Sequence, residues 1–318
     1  MAGPGGSVMS VEGLAAAPVR TGLLVCVLLG TGIGWGLTIS LATIATSTGL
    51  SALTVALWSA LSGSIILSVI VGLRRKRLVL DKAHLAFYAV TGLVGTAFPH
   101  ALSFQVAMHL PAGNRAIVYA LIPMITLGMS ILMAIEQPSW KRFGGISLGL
   151  AAMAILLLPG AHVPVEGELF WTAVTLVIAI SYAVENVYVG LRRPSRLDGV
   201  TALWGMTTAG ALMLVPAVWL SGAPMLLPFD FSIAEGALLL STLSHLLAYA
   251  GLLYMISNGG VVFGSQVSYI VTPAAIIWGI VLLGEQLTLG ISISLALILA
   301  GLALIKPNPK RRSGPPVG

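Results

Sequence analysis

Residues 52–73 read ALTVALWSALSGSIILSVIVGL, an uncharged apolar stretch followed at once by the basic cluster Arg74-Arg75-Lys76-Arg77. A helix needs about 20 predominantly apolar residues to cross roughly 30 Å of hydrocarbon. This stretch is therefore long enough to span a bilayer, and the basic cluster marks the side on which it ends. The same pattern of a long apolar stretch recurs along the chain, which indicates a protein with several membrane spans.

The sequence predicts ten transmembrane helices, near residues 21–43, 52–73, 84–108, 113–135, 142–159, 168–190, 199–220, 233–256, 260–283 and 288–306. Hydrophobic residues make up 57% and charged residues 8% of the 318 residues, and the mean hydropathy is +1.00. This composition excludes a soluble globular domain. The predicted fold class is an all-α integral membrane protein, placed as a multi-pass protein in the bacterial inner (plasma) membrane.

Outside the spans, residues 1–19 are predicted to be a disordered N-terminal segment, and residues 307–318 a basic cytoplasmic tail. The first apolar run continues into further spans without a small-residue cleavage site, so no removable signal peptide is expected. Cys26, the single cysteine, lies inside the first span, and one cysteine excludes an internal disulfide.

The basic residues predict the orientation of the chain. Fifteen of the sixteen Lys and Arg lie in the N-terminal flank, in alternate loops or in the C-terminal tail, and the exception is Arg115. By the positive-inside rule both termini are cytoplasmic. The net charge of +6 is therefore interpreted as a topology signal that also contacts anionic lipid headgroups, not as a sign of nucleic-acid binding. The sequence leaves the oligomeric state open.

A proline–glutamate pattern occurs twice. Pro123 is followed by Glu136 thirteen positions later, and Pro273 by Glu285 twelve positions later, each time before a glycine-rich stretch. Since each half holds five predicted helices, an odd number, the second half must enter the membrane from the opposite side. The sequence thus predicts two inverted five-helix repeats, residues 20–160 and 161–306.

The tract TPAAIIWGIVLLGEQLT, residues 272–288, resembles the ten-helix carriers of the EamA type in the drug/metabolite transporter superfamily. The resemblance spans residues 20–306 and has the aromatic amino-acid exporters of the YddG type as its best analogue. It implies an aromatic residue early in each half, for which Trp35 and Tyr182 are the candidates. One departure is that such carriers often have an arginine in the second helix, where residues 57–61 read LWSAL.

Polar side chains inside the spans indicate the substrate site. An ionisable group near the bilayer centre costs at least about 2.5 to 3.5 kcal/mol, so each one needs a reason. A central cavity, lined mainly by the third, fourth, eighth and ninth helices, would hide these groups from lipid. The predicted substrate-binding residues are Trp35, His100, Asn114, Arg115, Tyr119, Tyr182, His245, Tyr249, Gln266 and Tyr269.

Three of these residues have a structural alternative. His100 and His245 can be neutral histidines that donate to backbone carbonyls. Arg115 can be an anchor whose guanidinium reaches the membrane interface, and its functional interpretation is capture of a substrate carboxylate.

Three acidic residues are assigned outside the substrate contacts. Glu185 is expected to pair with Arg192 or Arg193 at the membrane interface in preference to carrying a proton. Glu136 and Glu285 close their helices at opposite faces and are interpreted as structural or gating polar ends.

Pro123 and Pro273 are the predicted hinges. Each proline removes a hydrogen bond and weakens its helix at one point. In inverted repeats the two weak points lie on opposite sides of one site, so bending one half while the other straightens exposes that site to each face in turn. The alternative is that both prolines make static kinks.

The sequence predicts a secondary transporter that exports small neutral or zwitterionic metabolites, above all amino acids with aromatic or other apolar side chains. Phosphate-rich solutes need several cationic donors, and a single embedded arginine is too few. The sequence has no P-loop or metal-ligand motif, so no enzyme activity, metal or cofactor is expected, and gradients must drive transport. Alternatives are an exporter of drugs or other metabolites, and a passive facilitator or channel.

Overall fold

The computed structural model describes residues 21–47, 49–76, 78–158, 166–195, 197–228, 230–259 and 264–304. All regular secondary structure within these ranges is helical. The predicted N-terminal segment (1–19) and the predicted basic tail (307–318) lie outside the described residues.

The helices are α1 (Thr21–Thr46), α2 (Ala52–Leu73), α3 (Lys82–Ala107), α4 (Ala112–Leu132), α5 (Trp140–Leu156), α6 (Glu168–Arg192), α7 (Gly199–Ser221), α8 (Ile233–Gly259), α9 (Ser268–Leu283) and α10 (Leu289–Leu304). Of the described helices, seven (α1 to α4 and α6 to α8) are long and apolar enough to cross a bilayer. Helices α9 and α10 are apolar but have 16 residues each, and α5 has 17. The all-helical class is confirmed, and the number of ten crossings stays a prediction.

Side-chain caps start the three helices α3, α5 and α7. The Asp81 carboxylate accepts a hydrogen bond from the His84 amide (2.9 Å) at the start of α3, and Ser139 caps α5. Asp198 caps α7 by accepting from the Thr201 amide (3.2 Å). Serine and aspartate suit this position because their oxygens satisfy first-turn amides that have no partner within the helix.

Most of the main helix contacts recur when the two halves of the chain are exchanged. Helix α1 packs on α8 and α9, and its counterpart α6 packs on α3 and α4. Likewise α2 contacts α8, and α7 contacts α3. Three further contacts join counterparts directly: α2 with α7, α4 with α9, and α5 with α10. Many contacts within one half of the chain thus have a counterpart in the other half.

Counterpart helices α5 and α10 run antiparallel. Ser294 donates to the carbonyl of Ala152 (2.9 Å), and a Cβ added to Gly301 would lie 2.8 Å from the carbonyl oxygen of Gly145. Residue numbers therefore rise along one helix as they fall along the other. Glycines at this interface let the backbones approach closely.

Counterpart helices α2 and α7 are also antiparallel. The hydroxyls of Ser64 and Thr208 are 2.7 Å apart, and the indole nitrogen of Trp204 donates to the Ser68 hydroxyl (2.8 Å). Both hydrogen bonds join side chains in membrane-spanning segments, where a polar group without a partner would be costly.

Helices α1 and α9 run parallel in close contact through two glycines. A Cβ on Gly32 would overlap the side chain of Ile270, and one on Gly36 would lie 2.8 Å from the Cβ of Ala274. The indole nitrogen of Trp278 donates to the carbonyl of Ile33 (3.2 Å). One face of α9 is therefore covered by α1.

Helix α3 contains a π-helical turn at its centre, Leu93–Ala97. The amide of Phe98 bonds to the carbonyl of Leu93, five residues back, immediately before Pro99, whose nitrogen cannot donate. A π turn leaves nearby carbonyls free for other partners. One of them, Val94, accepts a hydrogen bond from the Ser181 hydroxyl of α6 (2.7 Å).

The two predicted hinge prolines lie in different local structures. Helix α4 consists of two segments, Ala112–Tyr119 and Ile122–Leu132, and Pro123 sits in the first turn of the second. In contrast, Pro273 lies inside the uninterrupted helix Ser268–Leu283. The backbone is therefore interrupted just before Pro123 and continuous through Pro273.

Candidate functional site

A cavity of about 140 Å³ lies between helices of both halves. Five of the ten predicted site residues line it: His100, Arg115, Tyr119, Tyr182 and His245. The other lining residues are Thr38, Ile39, Ala42, Ser59, Gly63, Gly95, Thr96, Ser103, Phe104, Met206, Thr207, Ser241, Thr242 and Leu246. The wall is therefore built from α1, α2, α3, α4, α6, α7 and α8. Helix α9, which the sequence placed in the wall, is absent from it because α1 and α4 cover α9.

Arg115 is the only guanidinium among the described residues that line the cavity, and it is 1% exposed. Its Nη2 donates to the carbonyl of Ile39 (2.9 Å) and to the hydroxyl of Thr43 (2.5 Å), and its Nε has no partner in the described part of the chain. No described carboxylate forms an ion pair with it. An unpaired buried cation is costly, so an anion in the cavity would stabilise it.

Two tyrosines form one side of the cavity. The Tyr119 hydroxyl donates to the Ser103 hydroxyl (3.3 Å), which links α4 to α3. The rings of Tyr119 and Tyr182 meet edge to face, with centroids 6.5 Å apart and planes at 80°. These rings offer an apolar face together with hydroxyl groups, a combination suited to a solute with one polar and one apolar end.

Two histidines add polar groups to the wall. The His100 ring meets Phe104 edge to face at 6.3 Å, and its buried Nδ1 has no hydrogen-bond partner among the described residues. His245 Nδ1 accepts a hydrogen bond from the indole nitrogen of Trp35 (3.3 Å). Trp35 therefore lies directly behind the wall and orients a histidine that is part of it.

The remaining four predicted site residues lie away from this cavity. Asn114 is buried and donates from Nδ2 to the Glu168 carboxylate (3.2 Å). Tyr249 lines a second, smaller pocket. Gln266 is exposed in a short 3-10 turn, and Tyr269 packs at the edge of the apolar core that contains α4 and α9. Their binding roles stay predictions.

Sequence reasoning missed the Ser and Thr hydroxyls that line the cavity, those of Thr38, Ser59, Thr96, Ser103, Thr207, Ser241 and Thr242. The hydroxyls of Ser59 and Thr242 are 3.4 Å apart, and Thr242 also donates to a carbonyl of its own helix. Serine and threonine in a span commonly bond to their own helix backbone, so they are weak signals of a site. The density of Ser and Gly along α2 was the available clue.

The acidic residues that close α9 and α4 make different contacts. Glu285, after α9, accepts from the amides of Ala112 (2.5 Å) and Gly113 (2.9 Å) at the start of α4. Glu136, after α4, instead pairs with Arg142 of α5 (3.0 Å). A carboxylate at a helix N-terminus is favoured because it meets free amides and the positive end of the helix dipole. Glu285 therefore ties α9 to α4 across the two halves.

The expected ion pair of Glu185 is not formed. Arg193 donates from Nε (3.0 Å) and Nη2 (2.6 Å) to the carbonyl of Leu197 instead. Within the described residues, Glu185 forms no ion pair with Arg192 or Arg193. Arg193 thus holds the turn that follows α6 and does not neutralise the Glu185 carboxylate.

Comparison with known families places the first half of the chain. Residues 22–158 match the EamA-like transporter family. A solved crystal structure superposes with a TM-score of 0.57 over 86% of this chain and 95% of the other, at 18% sequence identity, which supports the fold alone.

Similar proteins of known name are membrane transporters. A probable terminal-alkyne amino-acid exporter of Streptantibioticus cattleyicolor is 24% identical over 74% of this chain and 76% of that protein. An S-adenosylmethionine/S-adenosylhomocysteine transporter of Chlamydia trachomatis is 25% identical over 73% of each chain. The inner membrane transporter YedA of Escherichia coli K12 is 26% identical over 62% of each.

These similarities confirm the resemblance to EamA-type carriers of the drug/metabolite transporter superfamily. The predicted location, as a multi-pass protein of the bacterial inner membrane, is confirmed by the same family match together with the apolar helices.

Proposed function

We propose that this EamA-type transporter exports small zwitterionic solutes, above all amino acids with apolar side chains, by alternating access. The observation that carries the proposal is the buried Arg115, which lines a small cavity and has no carboxylate partner among the described residues. The α-carboxylate of an amino acid would pair with this guanidinium. The apolar side chain would then lie against Tyr119, Tyr182 and Phe104.

The size of the cavity favours small metabolites over drugs. Sites for drug-sized ligands usually have volumes of about 300 to 1,000 Å³, whereas this cavity measures about 140 Å³. The named relatives support a solute related to amino acids, since one is named a probable amino-acid exporter and another a transporter of S-adenosylmethionine, a methionine derivative. One arginine also matches one carboxylate, whereas phosphate groups favour several cationic donors.

The transport cycle rests on two inverted repeats, residues 20–160 and 161–306, with both termini cytoplasmic. The symmetric packing supports this arrangement. Equivalent helices that meet on a twofold axis are parallel if the axis follows the membrane normal, and antiparallel if the axis lies in the membrane plane. The antiparallel pairs α2–α7 and α5–α10 favour the second case, which is the geometry of inverted-repeat carriers.

Pro123 and Pro273 are the hinges of this cycle. Helix α4 is broken just before Pro123, while α9 continues through Pro273. Two chemically similar segments in two conformations are what alternating access requires, since exchanging the two conformations would move the opening from one face to the other. The Glu285 contact with α4 would hold one of these states.

A flux assay on the purified protein in liposomes tests the proposed function. The candidate solutes are phenylalanine, tryptophan, methionine, threonine and a lipophilic cation. We expect saturable uptake and counterflow of the apolar amino acids. Flux that does not saturate would indicate a channel, and transport of the cation alone would overturn the amino-acid assignment.

The role of Arg115 is tested with phenylalaninamide, which lacks the carboxylate. The wild-type protein should discriminate against the amide by about 10- to 150-fold, the value of a charge-assisted hydrogen bond of about 1.5 to 3 kcal/mol. Arg115→Gln should transport the two solutes at similar rates. The exposed Arg192→Gln is the matched control and should keep the discrimination. Equal transport of both solutes by the wild-type protein would contradict the carboxylate contact.

The topology is tested by placing single cysteines beside α1 and α10 in a Cys26→Ser background. A membrane-impermeant maleimide should label both positions from the cytoplasmic face. Labelling from opposite faces would exclude inverted repeats with both termini inside.

A further inference from the structure

We propose that Glu185 is the site at which this transporter binds and releases a proton in exchange for solute. The proposal rests on the proposed function, and adds the ion that drives it. The carboxylate lies on α6 within a membrane-spanning segment, where an ionisable group is costly and therefore marks a candidate functional site.

The Glu185 carboxylate contacts the wall of the main cavity. A Cβ added to Gly95, which lines that cavity, would lie 2.6 Å from each carboxylate oxygen. Gly95 is part of the π turn of α3, and one helical turn before Glu185 the Ser181 hydroxyl holds the same turn through the Val94 carbonyl. The absence of a side chain at Gly95 therefore lets the carboxylate reach the backbone that bounds the cavity.

On its other side, Glu185 lines the second pocket, of about 20 Å³. A space of at least about 10 to 15 Å³ holds one water molecule if polar partners are present. The carboxylate thus stands between the main cavity and a small pocket with room for a single water. Such a water can pass a proton to or from the carboxylate.

The groups that face Glu185 leave its charge free to change. These are Tyr182 of α6, Arg193 directly after α6, and Tyr249 of α8. The residues of α3 and α7 in the second pocket carry no charge; they are Phe87, Thr91, Ala202, Leu203 and Met206. Within the described chain no group donates a hydrogen bond to the carboxylate, and Arg193 is engaged with Leu197. Within the described residues, no hydrogen-bond donor or ion-pair partner therefore competes with a proton for the carboxylate.

The exchange needs only one O–H bond to form and break. When the cavity faces outward, the solute leaves and the carboxylate takes up a proton from the outer solution. When it faces inward, the carboxylic acid releases the proton to the cytoplasmic solution and a new solute binds. One proton enters and one solute leaves in each cycle, so the proton gradient drives export.

Liposomes with an acidic interior test this exchange. Labelled phenylalanine or methionine is supplied outside, and the membrane potential is held at zero with potassium and valinomycin. With one proton per solute, a gradient of one pH unit should accumulate the amino acid about tenfold inside. Glu185→Gln should give no accumulation but keep counterflow at equal pH. Glu185→Asp should restore part of the accumulation, and Asp230→Asn, which alters an exposed loop carboxylate, should match the wild-type protein.

Several results would overturn the assignment. The first is that Glu185→Gln accumulates the amino acid as strongly as the wild-type protein. The second is that a sodium gradient alone drives accumulation. The third is that both Glu185 variants lose counterflow together with accumulation. Wild-type counterflow without pH-driven accumulation would also overturn it and leave the proposed function intact.

A second measurement needs no solute. Infrared difference spectra of the membrane-embedded protein over a pH titration should show a carboxylic-acid carbonyl band that is missing in Glu185→Gln. If no tested amino acid shows counterflow, the proposed function fails for these solutes, and the band still decides whether Glu185 exchanges protons. An identical band in both proteins would refute the proposal.

Discussion

The contact between Glu285 and the start of α4 should hold the outer ends of α9 and α4 together. Glu285 receives two backbone hydrogen bonds, at 2.5 and 2.9 Å. Glu285→Gln keeps one acceptor oxygen and removes the charge. The variant should therefore open the cavity more often to the outer face.

The size of this shift follows from the bonds lost. One charge-assisted hydrogen bond contributes about 1.5 to 3 kcal/mol, and a charge at a helix terminus about 0.3 to 1 kcal/mol. Glu285 is partly exposed, so water compensates part of the lost interaction energy. We therefore take about 2 kcal/mol as the net loss caused by Glu285→Gln. This free energy corresponds to about a thirtyfold change in the ratio of outward-open to outward-closed protein.

The assay uses a cysteine on the cavity wall, Ser103→Cys, in a Cys26→Ser background. A membrane-impermeant maleimide applied from the outer face should label Glu285→Gln up to about thirty times faster than the parent, if labelling follows the open population. Glu136→Gln, the same substitution at the opposite end of the fold, is the matched control and should not increase outer labelling. Equal labelling rates in Glu285→Gln and the parent, with equal thermal stability, would refute the role of this contact.

Two further predictions concern stability, measured by thermal unfolding in detergent. Gly36→Val should destabilise the protein by about 1 to 3 kcal/mol because the added atoms collide with α9. The control Gly30→Val, where a Cβ meets no atom within 4 Å, should reduce the stability less. Equal losses of stability in the two variants would contradict the α1–α9 packing. Partial burial raises the pKa of Asp198, but hydrogen bonds from Thr201 and other groups outweigh it and hold this pKa below its usual value. The stabilisation is present above the unfolded pKa of about 3.9 and is lost as the pH falls through the folded value. Asp198→Ala should therefore cost about 1 kcal/mol at neutral pH, and the difference should shrink in acid; a cost independent of pH would count against the capping role.

The candidate site was predictable for residues whose polar side chains would cost much free energy if they faced lipid. His100, Arg115, Tyr119, Tyr182 and His245 are polar groups within apolar spans, and lipid cannot accommodate them. All five line the cavity. The hydroxyls of the wall were not predictable, because serine and threonine are tolerated in a span wherever their own helix carbonyls accept a hydrogen bond.

The predictions were less accurate for residues whose surroundings are set by a neighbouring helix. Gln266 and Tyr269 are polar residues in a predicted span, yet α9 contributes no lining residue, because the glycines of α1 bring the two helices into contact. For Glu185, sequence proximity suggested Arg192 or Arg193 as partner. In the fold Arg193 turns toward Leu197, and the carboxylate lies against Gly95, ninety residues away in the chain.

The amino-acid sequence was enough to predict that this protein lies in a lipid bilayer and that its fold is all helical. Length and hydropathy suffice for this, because a bilayer imposes the same requirement on every span regardless of its neighbours. The packing of the helices was needed to show which polar groups share a cavity, that α1 and α4 cover α9, and that Glu185 has no ion-pair partner among the described residues. These features depend on the distances between side chains far apart in the chain, and close helix contacts set those distances.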